Sequence, residues 1–88
     1  MKWQANIRVM LKPSVNDPQG LSIRGALQSL GFTSVQDVRA GKYFQVRLTA
    51  DDRAHAQLQV EQMCDKLLAN PVIETFAFEL AEAPERVA

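Results

Sequence analysis

The stretch Leu67-Leu68-Ala69-Asn70-Pro71-Val72-Ile73-Glu74 constrains this chain most, because it ends an amphipathic helix and begins a strand with no residues to spare. Upstream, Ala56, Val60, Met63, Cys64, Leu67 and Leu68 recur at helical spacing, which predicts one stripe facing a core. Asn70 is a residue type that tolerates the left-handed conformation closing a helix, and Pro71 cannot continue one. Downstream, Phe76, Phe78 and Leu80 alternate with Thr75, Ala77 and Glu79, the pattern of a strand buried on one face. Helix and strand are therefore locked into one relative placement.

The first segment has the same strand period, with Trp3, Ala5, Ile7, Val9 and Leu11 opposed to Gln4, Asn6, Arg8, Met10 and Lys12. Asp17 followed by Pro18 reads as an N-cap with proline at the first helical position, and Ile23, Ala26, Leu27 and Leu30 mark the stripe of the helix that follows. Gly31 supplies the positive φ that ends it. A ragged strand over residues 34–39 then leads through Ala40-Gly41-Lys42 into a clearer one, Tyr43 to Thr49, predicting a hairpin with Gly41 at its tip. Asp51 and Asp52 open the second helix at its positive end. The order is β-α-β-β-α-β, an α+β two-layer sandwich of the ferredoxin-like arrangement, with both helices on one face of an antiparallel sheet. The other face carries Asn6, Arg8, Tyr43, Gln45, Arg47 and Thr75, too polar for a second core and suited to association. The domain is expected over residues 1–80, with 81–88 as a flexible tail.

Composition enters through what it forbids. One cysteine excludes an internal disulfide, and one histidine excludes a zinc site built on Cys and His within one chain. Lys2, Gln4, Asn6 and Arg8 interrupt the first segment, so it does not resemble a signal peptide, and no stretch reaches the roughly 20 apolar residues of a membrane span; a cytoplasmic location is expected. His55 and Cys64 are nine residues apart on one predicted helix, about 13 Å along its axis, too far for a Cys-His nucleophile. Cys64 is expected in the core and His55 in solvent. The acids Asp51 and Asp52 are expected as caps rather than metal ligands, and Gly20 and Gly31 form no phosphate-loop fingerprint. No catalytic, cofactor-binding or metal residue is therefore assigned.

Nucleic-acid binding has little support. Tyr43 is placed where an RNA-recognition module stacks a base, but the first strand offers no aromatic except Trp3 at its start, and net charge is zero. That zero conceals an asymmetry: residues 1–48 hold seven Lys or Arg against Asp17 and Asp37, and residues 49–88 hold three against eight carboxylates, giving +5 and −5. Such halves either neutralise each other in the fold or guide docking to other subunits. Arg39, Gly41 and Lys42, two cations beside a glycine turn, are the candidate partner-docking residues.

Four stretches in order, Val9-Met10-Leu11-Lys12, Asp17-Pro18-Gln19-Gly20, Val38-Arg39-Ala40-Gly41-Lys42 and Leu67 to Glu74, resemble the PurS family, the small subunit of phosphoribosylformylglycinamidine synthase. Asn16 departs from that pattern, which more often has an apolar residue there. The resemblance implies a non-catalytic subunit in purine biosynthesis, one part of a glutamine-dependent ATP-using ligase. It also implies a homodimer or tetramer that bridges a large synthetase subunit and a glutaminase subunit. ATP, Mg and glutamine would be used by the assembled complex, with no cofactor bound by this chain. The alternative from another class is an ACT-like regulatory dimer that binds a small ligand between subunits, which ligand-induced thermal stabilisation of the isolated protein would reveal.

Overall fold

The computed structural model describes residues 1–83. Three strands form one antiparallel sheet: β1 (Lys2–Leu11) at the centre, with β2 (Gly41–Thr49) and β3 (Glu74–Glu82) on either side. Helix α1 (Pro18–Ser29) follows β1, and helix α2 (Arg53–Met63) follows β2. The central strand is where the sequence is most apolar on one face. Trp3, Ala5, Ile7 and Val9 are all buried, and Ile7 lies in register between Phe44 of β2 and Phe78 of β3.

The α+β class and the antiparallel sheet match expectation, but the ragged strand over 34–39 does not form, so the observed order is β-α-β-α-β. Gly41 is accordingly no hairpin tip and has no positive φ; it opens β2 opposite Met10. A β-carbon at Gly41 would run into the Met10 sulfur and the Val9 carbonyl, so glycine is required there for close approach rather than for turning. Gly31 does take the expected left-handed conformation, at φ 100°. Ala81 and Glu82, expected in the tail, belong to β3, and the Ala83 N–H donates to the Lys2 carbonyl. The rest of the expected tail, residues 84–88, lies outside the described residues.

Helix α2 packs across the inner face over β1 and β3, with Ala56, Val60 and Cys64 fully buried against the strands. It ends through a π-helical turn, Cys64–Leu68, closed by the Ala69 N–H on the Cys64 carbonyl at 2.9 Å. The wider turn explains a correction. At 3.6 residues per turn Leu67 would follow Cys64 onto the core, whereas here Leu68 and Ala69 take that side and Leu67 is 83% exposed. Asn70 is not left-handed either. It caps the junction with its own groups: its carbonyl accepts the N–H groups of Ile73 and Glu74, its side-chain oxygen accepts the Val72 N–H, and its N–H donates to Glu74 Oε1 at 2.7 Å.

The apolar stripe of α1 is the second correction, since Gly20 is its one buried residue. Ile23, Ala26 and Leu30 are exposed, and α1 makes no substantial contact with the sheet or α2. The outer face is polar as read, with Arg8 bonded to Glu79 at 3.1 Å and Gln4 to Asn6 at 3.0 Å. Among the described residues, no helix is long and apolar enough to cross a membrane. Burial of Cys64 gives a direct expectation: Cys64→Ser lowers stability by about 1–3 kcal/mol, by placing an unpaired hydroxyl in an apolar site, which urea unfolding measures.

Candidate functional site

The four stretches singled out in the sequence meet at one end of the sheet. There the end of β1, the start of α1, the start of β2 and the α2–β3 junction surround a shallow cleft of about 210 Å³, lined by Val9, Asp17, Gln19, Gly41, Lys42 and Glu74 among others. Asp17 is the hub. As the N-cap of α1 it accepts the Gly20 N–H at 3.0 Å, and its second oxygen accepts the Ala40 N–H at 2.8 Å. One carboxylate thereby ties the beginning of the α1 excursion to its end, although its residue is only 5% exposed. The Gly20 N–H, then that of Ala40, hold its pKa below the ordinary 3.8, with the Arg39 charge adding to the effect.

Arg39 is not a free cation. Its guanidinium donates to the carbonyls of Lys12 at 3.0 Å and Val15 at 3.3 Å, with a longer contact to Leu11. It clamps the loop between β1 and α1 from the far end of the same excursion. Gly20 completes the closure, because a β-carbon there would collide with the Val38 carbonyl oxygen. Lys42 works on the other flank: its ammonium sits 3.3 Å from Glu74 Oε2 and 3.4 Å from the Leu68 carbonyl, joining β2 to the helix–strand junction. The Asn70 N–H and then Lys42 lower the pKa of Glu74.

The candidate docking residues Arg39, Gly41 and Lys42 are thus brought together, with internal partners that sequence reasoning missed. No local pattern announces that an arginine will meet backbone carbonyls some two dozen residues upstream. His55 lies at the start of α2, exposed, with its ring nitrogen 3.0 Å from the N-cap Asp52. Cys64 is buried, and burial raises its thiol pKa, so it is held in the unreactive protonated form. Among the described residues, no three His, Cys, Asp or Glu side chains gather as a metal site would need. Chemically, this end of the sheet ties backbone to backbone, and its carboxylates and cations engage one another and main-chain groups.

An acid dependence follows. Asp17 and Glu74 have folded pKa values below their ordinary 3.8 and 4.5, so the stabilisation they provide is present above those values and lost as pH falls through the lower, folded ones. Asp17→Asn should be less stable than the parent at pH 6 yet lose less on going to pH 3, read as urea midpoints. Equal losses in both proteins would show that Asp17 does not contribute to the acid transition.

Comparison with known proteins agrees with this arrangement. The family model of PurS, phosphoribosylformylglycinamidine (FGAM) synthase, matches residues 4–82. Over 78 residues the chain is 47% identical to the phosphoribosylformylglycinamidine synthase subunit PurS of Synechocystis, covering 89% of this chain and 78% of that one. Its fold superposes on Bacillus subtilis PurS in a C2 crystal form with TM-score 0.83 at 44% identity, over 91% of this chain and 99% of the other. It superposes equally on a chain in the structure of PurLQS from Thermotoga maritima, with TM-score 0.85 at 27% identity, over 92% and 99%. With the match running from the first strand to the last, the chain belongs to the PurS family of phosphoribosylformylglycinamidine synthase subunits of purine biosynthesis.

Proposed function

We propose that this chain is the non-catalytic adaptor of a cytoplasmic phosphoribosylformylglycinamidine synthase. In this reading it holds a large synthetase subunit and a glutaminase subunit together, so that ammonia released from glutamine reaches the amidine-forming site. ATP, Mg and glutamine are used by the assembled ligase rather than by this subunit. The observation that carries the reading is the converging end of the sheet, whose polar groups are engaged in fixing backbone, beside a helix whose apolar side is left uncovered. That combination suits a part that presents surface. The Thermotoga maritima relative, solved as PurLQS, supports a setting of three kinds of subunit. The chain is read as a homodimer or a tetramer.

Docking is proposed to involve Arg39, Gly41 and Lys42 in a form narrowed by their geometry. The Lys42 side chain is 52% exposed despite its bond to Glu74, leaving charge to offer a partner's acidic surface. Arg39 supports docking by holding the loop in shape. The test is co-sedimentation of the three subunits at several salt concentrations. Lys42→Ala should weaken binding to the large subunit by about 3–10-fold at low salt and by less at high salt, where the parent's contact is already screened, with no change in fold. Wild-type affinity at every ionic strength would remove Lys42 from the interface. A three-component mixture that never sediments together would overturn the adaptor reading itself.

A further inference from the structure

We infer that the open edge of β3, from Phe76 to Leu80, is the seat of the glutaminase subunit: an extended segment of that partner, carrying Lys or Arg at alternate positions, adds to the sheet as a further strand. This rests on the adaptor reading and goes beyond it by giving the second partner a surface of its own.

The register fixes which groups of β3 are open. The Lys12 N–H donates to the Ile73 carbonyl and the Ala83 N–H to the Lys2 carbonyl, so the odd-numbered residues of β3 bond β1 and the even-numbered ones aim their backbone groups away from it. Both ends of that edge are closed. The Glu74 N–H goes to the Asn70 carbonyl at 2.7 Å, and the Arg53 guanidinium donates to the Leu80 carbonyl at 2.9 Å. Between them the N–H and C=O groups of Phe76 and Phe78 and the N–H of Leu80 meet no partner among the described residues. An edge left open only in its middle limits both the length and the register of the strand that can pair there.

The surroundings select the chemistry of that strand. Arg53, Gln57 and Glu61 repeat every four residues along α2, and Arg53 reaches the β3 edge, so the same row continues over it, with Gln57 bonded to Glu61 and Asp65 next in the series. Beneath it lie the partly buried rings of Phe76 and Phe78, with centroids 6.4 Å apart. Every second side chain of an added strand enters between this apolar floor and acidic roof, which suits Lys or Arg: the stem lies on the rings and the charge meets Glu61 or Asp65. The other edge has the opposite sign, with Lys42 and Arg47 on β2. Across the sheet the two edges are separated by two strand spacings, about 10 Å. An adaptor needs two surfaces that do not compete. The proposed contact of Lys42 with the large subunit lies on the β2 side, which leaves the acidic β3 edge for the glutaminase.

The test compares deuterium uptake by the full chain alone, with the large subunit, and in the three-subunit assembly with ATP, Mg and glutamine present. In the free chain the amides of Phe76, Phe78 and Leu80 should exchange fast; in the three-subunit assembly they should slow by about 100-fold or more, with no further change on β2 when the glutaminase joins. Protection of these amides that is absent from the assembly, that appears with the large subunit alone, or that is already present in the free chain would overturn the seat while leaving the adaptor reading intact. An assembly that never forms with the parent chain would overturn both. Independently, Glu61→Lys with Asp65→Lys should keep the circular dichroism and self-association of the parent and weaken recruitment of the glutaminase by about 10–100-fold at low salt, and by less at high salt. A variant that recruits the glutaminase like the parent at every ionic strength, or that self-associates differently, rejects the seat.

Discussion

Leaving this chain out of a mixture of the large synthetase subunit and the glutaminase subunit should take product formation from glutamine close to background, while the large subunit keeps a measurable rate with free ammonium. The two assays divide coupling from chemistry. Ammonia made at one site and used at another acts at its local concentration, on the order of millimolar when two sites are held together, but it is diluted to micromolar once released; a loss of roughly 100-fold or more follows when the connection is removed. Ammonium supplied in excess bypasses the connection, so its rate should depend little on the adaptor. Equal glutamine-driven rates with and without this chain would sink the bridging proposal. An ammonium-driven rate that vanishes without it would assign the chain a part in completing the synthetase site.

What the sequence makes legible is local, and what it hides is long-range. The period-2 run from Trp3 to Leu11 and the Asp17-Pro18 helix entry are settled within a few residues and take the expected secondary structure, while the compressed junction leads from helix to strand as read but through a π-helical turn. The α1 stripe is legible as apolar, but the helix makes no substantial contact with the sheet, and periodicity carries no information about whether a stripe meets a core. Residues 34–39 carry a ragged strand pattern without a neighbouring strand to satisfy it in one chain. A 3.6-residue period places Leu67 on the core, and the π-helical turn that begins at Cys64 breaks that period. At the site, residue type and spacing single out Arg39, Gly41 and Lys42. Their partners, which are backbone carbonyls, a close β1 neighbour and Glu74, are set by tertiary contact and leave no mark on the local sequence.

The same substitution at two positions of α1 should act with opposite signs. Alanine favours helix over glycine by roughly 0.5–1 kcal/mol, because it has less backbone freedom to lose on folding. At Gly25 nothing lies within 4 Å of the place a β-carbon would take, and the residue is on the side of the helix away from Ile23 and Leu30, so Gly25→Ala should gain about that amount. At Gly20 the added methyl meets the Val38 carbonyl and the Asp17 carboxylate, a main-chain atom and the cap itself, neither of which can swing aside. Gly20→Ala should therefore cost about 1–3 kcal/mol net, as overpacked sites do, and it should loosen the base of α1. In a chain of this length the two melting temperatures should differ by about 10 °C or more. Helix propensity alone predicts a gain for both proteins, so thermal unfolding in which Gly20→Ala is as stable as Gly25→Ala would show that the pinned base of α1 is not the constraint inferred from its contacts.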